Sequence, residues 1–353
     1  MAVLDPAPTL AVAALPPSAA EERAEPIVVN AEPGDARHLV PVPLPAAVPR
    51  RSAGQLTRDL VALIRPAHWA KSALVVPIAL LDITHWTLGA FGGILWSIAA
   101  FVLASSAVYV GNDIADRHRD RHHPVKRLRP IASGRVPVPV AVGYCTALCG
   151  LLALFLFTGP LGFAWPVLGY LVLNVAYSRG LKHVPLIEAG AVAAGFVLRV
   201  LQGYVATGRP APGWLLVTVF TGCLMLVVGK RRQELLEAGA AHRPSLRGYT
   251  VELAGHLLQL TGGLTIVSGL LYVQAEAPFG PYGLAATLIS VPFALFTMSR
   301  YLQMVLVYGG GGDPVRVLLG DRRTVIATLL WAAALAVTIL LARYPTVLPD
   351  ILP

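Results

Sequence analysis

The stretch Gly93-Ile94-Leu95-Trp96-Ser97-Ile98-Ala99-Ala100-Phe101-Val102-Leu103-Ala104-Ser105-Ser106-Ala107-Val108-Tyr109-Val110-Gly111 runs straight into Asn112-Asp113-Ile114-Ala115-Asp116-Arg117-His118-Arg119-Asp120. The first part carries no charged side chain. Its length is close to the ~20 residues that cross about 30 Å of hydrocarbon as a helix. The second part begins with carboxylates at once. An apolar span that ends in acids reads as a membrane helix whose polar end carries chemistry.

Working outward, the same pattern recurs. The chain has 353 residues, 56% hydrophobic and 13% charged, against about 25% charged in a soluble domain. The fold class expected is an all-α integral membrane bundle. Nine apolar runs are candidate spans, at about 69–88, 93–111, 138–157, 161–178, 185–206, 212–229, 251–273, 281–305 and 324–342. The net charge of +9 sits in short loops between these runs. It therefore reads as orientation in a lipid bilayer, and nucleic acid is not expected as a partner. Arg and Lys crowd the segment before the first run and loops 2–3, 4–5, 6–7 and 8–9, whereas only Arg209 and Arg343 lie on the other face. The expectation is a cytoplasmic N-terminus, an external C-terminus and an odd number of spans. Cys145, Cys149 and Cys223 lie inside apolar runs and read as small core residues. Residues 1–55 are rich in Ala, Pro and Glu and read as a disordered tail. Residues 56–353 form the transmembrane catalytic domain in this reading.

The acidic stretch spells NDxxDxxxD. If the helix continues, Asn112, Asp116 and Asp120 recur at i, i+4 and i+8, and Asp113 precedes Asp116 by three, so all four share a face. Clustered carboxylates repel one another unless a cation sits among them. Hard oxygen ligands of this kind suit Mg²⁺, which commonly bridges to substrate phosphates. The competing reading is a solvated, charged helix end. The stretch that follows, His122 to Gly134, holds Lys126, Arg127 and Arg129. These can clamp phosphate oxygens, or serve only as inside-positive charge. His118, His122 and His123 lack the second ligand cluster a zinc site would need.

Three more basic clusters fall on the same expected face. Arg65-Pro66-Ala67-His68-Trp69-Ala70-Lys71 opens the first span; Tyr177-Ser178-Arg179-Gly180-Leu181-Lys182-His183 follows the fourth; Gly229-Lys230-Arg231-Arg232-Gln233-Glu234-Leu235 closes the sixth. Lys230 and Glu234, at i and i+4, share a face or pair with each other. Within the fifth span lie Glu188 and, deeper, Arg199. A charged residue at such depth faces a cavity or a partner. Arg199 is read as lining a substrate chamber, with a structural ion pair as the alternative.

These motifs, with their spacing, resemble the UbiA superfamily of intramembrane prenyltransferases over about residues 60–343. The resemblance implies nine transmembrane helices and a motif, matched in full by Asn112, Asp113, Asp116 and Asp120, that binds Mg²⁺ and a diphosphate. The superfamily's usual second acidic motif in loop 6–7 is missing; Lys230-Arg231-Arg232-Gln233-Glu234 stands in its place. The chain is more similar to the decaprenyl-phosphate phosphoribosyltransferase branch. The matching stretches are RPxxWxK, NDxxDxxxDRxHPxKRxRPIAxG, YxxGLKH, LRxxxGxxAT and GKRxxEL.

That branch implies transfer from 5-phosphoribosyl diphosphate (PRPP) to a polyprenyl (decaprenyl) phosphate, feeding arabinan assembly. It also implies a plasma-membrane protein with its site facing the cytoplasm. Asp113, Asp116 and Asp120 are then the catalytic acids, holding Mg²⁺ with Asn112. Substrate contacts fall to Lys71, Asn112, Lys126, Arg127, Arg129, Tyr177, Lys182, Arg199, Lys230, Arg231, Glu234 and Tyr249, the two tyrosines equally readable as interfacial anchors. A prenyltransferase with an aromatic acceptor is the nearest rival. A transporter is a distant one, since no inverted repeat is visible and the polar residues crowd one face. A homo-oligomer is left open.

Overall fold

The computed structural model describes residues 52–76, 87–123, 125–159, 161–239, 244–310, 312 and 314–344. Among them every regular element is a helix: α1 Ala53–Leu63, α2 Leu88–Ala115, α3 Arg117–Arg121, α4 Val138–Thr158, α5 Trp165–Arg179, α6 Ile187–Thr207, α7 Gly213–Ala238, α8 Val251–Ala275, α9 Gly283–Leu306, α10 Pro314–Gly320 and α11 Arg322–Arg343. Short 3₁₀ segments join several of them, the longest being Pro66–Val75. Residues 1–51 of the expected tail lie outside the described residues. Its last residues do not stay irregular: Ser52 caps α1, its hydroxyl accepting from Gln55 N–H at 3.3 Å.

The all-α expectation holds. Seven helices, α2, α4, α6, α7, α8, α9 and α11, are long and apolar enough to cross a membrane. They match seven of the nine expected runs. The run at 161–178 forms α5, which has 15 residues and so reaches only about 22 Å. The run at 69–88 begins in the 3₁₀ segment, and its residues 77–86 lie outside the described set.

Large apolar side chains line the outside of the bundle as well as its core, and small polar ones are buried with the core. Leu154, Phe157, Val172, Leu260, Leu288 and Leu329 face outward, whereas Ser97, Gln202, Thr221, Ser268 and Ser290 are buried. Lipid offers the apolar side chains a matching solvent, so polar and small residues are what bring helices together. Between α7 and α8, Thr218 Oγ1 donates to Ser268 Oγ at 3.0 Å and Thr265 Oγ1 to Thr221 Oγ1 at 3.0 Å. Between α2 and α6 the contact is backbone to backbone: a Cβ added at Gly93 would fall 2.7 Å from the carbonyl oxygen of Ala206. Cys145 Sγ lies 3.7 Å from the Ala107 carbonyl, and Cys149, expected in the core, lies on the outer face of α4.

Two features of the packing position the polar end of the bundle. The first is an apolar cluster in which Leu63 of α1, Val110 of α2, Ala141 of α4 and the loop residues Ile131 and Val136 are all buried together. It fixes the loop that follows the acidic stretch. The second is a buried ion pair between α6 and α7. Arg231 Nε lies 2.6 Å from Glu188 Oε1 and Arg231 Nη2 lies 2.9 Å from Glu188 Oε2. Glu188 is 0% exposed.

Two measurements check this packing. Gly93→Ala should lower the thermal unfolding midpoint in detergent, at a cost of about 1–3 kcal/mol, because a backbone carbonyl cannot yield. Its neighbour Gly92, with open space around it, should tolerate Ala; equal behaviour of the two would contradict the close α2–α6 approach. Glu188→Ala should cost about 3–5 kcal/mol by leaving Arg231 buried without that partner. The double change Glu188→Ala with Arg231→Met should be the milder, and the reverse order would contradict the pairing.

Candidate active site

The ends of α2, α5 and α7 and the starts of α6 and α8 meet at one end of the bundle, and the acidic stretch lies there. Helix α2 stops at Ala115, and Asp116 has φ −88° and ψ 3°, so α3 sets off at a kink. The hydrogen-bond ladder survives the kink: Asp116 N–H donates to the Asn112 carbonyl at 2.8 Å, and Asp120 N–H to that of Asp116 at 2.9 Å. The expected i, i+4, i+8 register is therefore present in the backbone, but the four side chains take two directions.

Asp113 and Asp120, each 3% exposed, turn to Arg129. Its Nη1 lies 3.1 Å from Asp113 Oδ1 and 2.7 Å from Asp120 Oδ2. Asp113 Oδ1 also takes Arg65 Nη2 at 2.6 Å. Asn112 and Asp116 turn to the segment after α5. Ser178 Oγ donates to Asn112 Oδ1 at 2.5 Å, and Lys182 Nζ lies 2.9 Å from Asp116 Oδ1. Three cations from three separate segments thus meet the three acids. Among the described residues no three His, Cys, Asp or Glu converge as a ready metal cage. The donor chemistry nevertheless fits a hard divalent ion, because Asp113 and Asp120 already bracket one positively charged nitrogen.

Local backbone explains how Arg65 arrives. It follows the end of α1 with φ 50°, a left-handed conformation uncommon for a residue with a Cβ. That turn lets Pro66 start the next segment and aims the guanidinium at Asp113. Its Cζ also lies 5.0 Å from the centroid of the Tyr109 ring. His68 packs edge-on against the same ring, at 5.4 Å. Burial, and then the positive charges of Lys71, Arg65 and Lys230, hold its imidazole below the ordinary value. Lys71 and Lys230 therefore lie on the Arg65 side of the site. Lys126 and Arg127 are exposed on the loop after α3, Lys230 is exposed at the end of α7, and Tyr177 is half-buried near the end of α5.

The remaining candidates are structural in their visible contacts. Glu234 bonds Arg231 Nη1 at 2.6 Å, not Lys230 as the i, i+4 spacing allows. Tyr249 is buried, and its hydroxyl accepts from Leu186 N–H at 3.0 Å. Among the described residues Leu186 is the other residue with a side chain and a positive φ, at φ 63° and ψ −47°, directly before α6. Arg199 lies about 18 Å along α6. It donates to the Gly195 carbonyl at 2.8 Å and to Tyr170 Oη at 3.1 Å. Its guanidinium lies over the rings of Phe101, Tyr170 and Phe196 at 5.5, 4.6 and 5.3 Å. An aromatic box thus holds this buried cation, together with its bonds to Gly195 and Tyr170.

Residues that the site gains beyond those expected are Arg65, Ser178 and Glu188. Arg65 sits in the RPxxWxK stretch, and that motif was the signal. Ser178 carried none, since its role depends on the α5 end meeting α2.

Residues 74–306 match the UbiA prenyltransferase family. A decaprenyl-phosphate phosphoribosyltransferase of Corynebacterium glutamicum is 31% identical over 301 residues, covering 82% of this chain and 89% of that protein. A Mycobacterium tuberculosis protein of the same name is 32% identical over 294 residues, covering 80% of this chain and 95% of its own. A UbiA homologue from Archaeoglobus fulgidus, solved with GPP and Mg²⁺ bound, superposes with a TM-score of 0.58 over 80% of this chain and 99% of that one, at 18% identity. That likeness concerns the fold. The resemblance read from the motifs is borne out: the chain belongs to the UbiA prenyltransferase family.

Proposed function

We propose that this protein transfers 5-phosphoribose from PRPP to a polyprenyl phosphate such as decaprenyl phosphate, releasing diphosphate and supplying an arabinan precursor. It works as a nine-span protein of the plasma membrane, N-terminus inside, with the site open to the cytoplasm. One observation carries the reading. A single acidic motif is met by Arg65, Arg129 and Lys182, and the region where related enzymes keep further acids is Lys230-Arg231-Arg232. A reaction that gathers a diphosphate, a 5-phosphate and a lipid phosphate needs that excess of cations. The names of the relatives point the same way.

Asp113, Asp116 and Asp120, with Asn112, are the residues that would hold Mg²⁺. Bound there, the ion supplies charge neutralisation for the diphosphate leaving group. Arg129, Lys126 and Arg127 clamp the donor's phosphates, Arg in bidentate fashion. Lys71, Lys182 and Lys230 take the 5-phosphate and the acceptor phosphate. The acceptor oxygen is already anionic, so no side chain acts as a general base. What the chain supplies is alignment of two anions that repel in water, and stabilisation of the departing charge. Attack at the anomeric carbon opposite diphosphate inverts that centre. The lipid tail lies between helices and leaves sideways into the bilayer. Arg231 and Glu234 shape the wall through Glu188, and Tyr249 holds the turn into α6. Tyr177 borders the sugar, and Arg199 closes the chamber from below.

Labelled PRPP and a labelled prenyl diphosphate, each offered with a polyprenyl phosphate and with an aromatic acceptor, separate this activity from prenyl transfer; the label should move only from PRPP to the lipid phosphate. Asp116→Ala and Asp120→Ala should each abolish that transfer while the protein still elutes as a folded species, and turnover in either would exclude its metal role. Chelation of divalent cations should stop the wild-type reaction and added Mg²⁺ restore it; a rate indifferent to chelation would contradict a metal-dependent mechanism.

A further inference from the structure

Arg129 is placed unlike the other cations of the site. One of its nitrogens bridges two carboxylates, at 3.1 Å from Asp113 and 2.7 Å from Asp120. Its backbone is pinned: its carbonyl accepts from Ser133 N–H at 2.9 Å and from Ser133 Oγ at 2.7 Å, and Pro130 and Ile131 beside it are buried. Its side chain keeps 29% of its surface exposed while the two acids it joins keep 4% and 5%. The guanidinium is thus a plug with one open edge, on a fixed base. If it swings outward, Asp113 retains Arg65 at 2.6 Å.

We propose that Arg129 is a built-in placeholder for the divalent cation, an inference that rests on the metal reading above. With no metal bound, its guanidinium neutralises Asp113 and Asp120 at the membrane edge and keeps them from repelling each other. A divalent ion between the same oxygens and that guanidinium repel, so both cannot stay. The displaced guanidinium moves to its open edge and meets the anion that accompanies the metal, the donor's diphosphate. Metal and diphosphate therefore bind with positive coupling, each favouring the other through Arg129. Free metal alone has to expel a paired arginine with nothing to receive it, and it binds weakly.

The test is Mn²⁺ binding to the detergent-solubilised full chain, read by electron paramagnetic resonance with and without inorganic pyrophosphate. Wild type is compared with Arg129→Ala, Arg129→Gln and Asp116→Asn. Free Mn²⁺ should bind the two Arg129 variants about tenfold more tightly than wild type, a typical size for such coupling. Pyrophosphate should tighten Mn²⁺ binding to wild type and do so much less in the variants. Affinity equal to or weaker than wild type, or undiminished coupling, overturns the placeholder role. Should Arg129→Ala fail to fold, Arg129→Gln, a shorter side chain that keeps an amide donor without the charge, decides. Loss of Mn²⁺ binding in Asp116→Asn with unchanged Arg129 variants leaves the metal site standing and removes the placeholder. No Mn²⁺ binding by any of the proteins removes both.

Discussion

Carboxylates can be packed together at the edge of an apolar bundle only if positive charge is packed with them. That constraint organises this molecule. Asp113 and Asp120 are almost wholly removed from solvent, where an unpaired carboxylate is strongly disfavoured. Arg129 and Arg65 restore the balance for them, and Lys182 does so for Asp116. Each cation comes from a different part of the chain. The acids are thus the hub that the start of the first span, the loop after α3 and the turn after α5 are gathered around.

The supporting structure serves that gathering. The apolar cluster of Leu63, Val110, Ile131, Val136 and Ala141 holds α1 and the Arg129 loop against α2 and α4. The Glu188–Arg231 pair locks the start of α6 to α7. Tyr249 pins the backbone of Leu186 at a positive φ, which lets the chain turn from Lys182 into α6. Among the described residues, the two with a side chain and a positive φ, Arg65 and Leu186, flank the site. Strain of this kind costs of order 1–3 kcal/mol and persists where surroundings enforce it.

Much of this was legible in the residues themselves. Hydropathy gave the all-α membrane bundle because lipid imposes a length on every span. The acidic motif was legible because helical spacing brings its members close whatever the rest of the chain does. What could not be read depends on tertiary choice. Helix geometry allows Glu234 either Lys230 or Arg231, and Glu188 decides by drawing Arg231 toward α6. That Arg199 needs a surrounding was readable from its depth, but not that three aromatic rings from α2, α5 and α6 supply part of it. The division of the four motif side chains between Arg65 with Arg129 on one side and Ser178 with Lys182 on the other depends on which segments arrive beside α2, and no spacing rule contains that.

The reaction proposed asks the site to exchange partners: acids that now hold cations must hold a metal, and cations that now hold acids must hold phosphates. The most direct measurement is a cryo-electron microscopy map of the protein in nanodiscs with Mg²⁺ and a non-hydrolysable analogue of PRPP. The account predicts a metal among Asp113, Asp116 and Asp120, with the analogue's diphosphate joining it to Arg129. An analogue bound away from these acids, with their ion pairs intact, would contradict it.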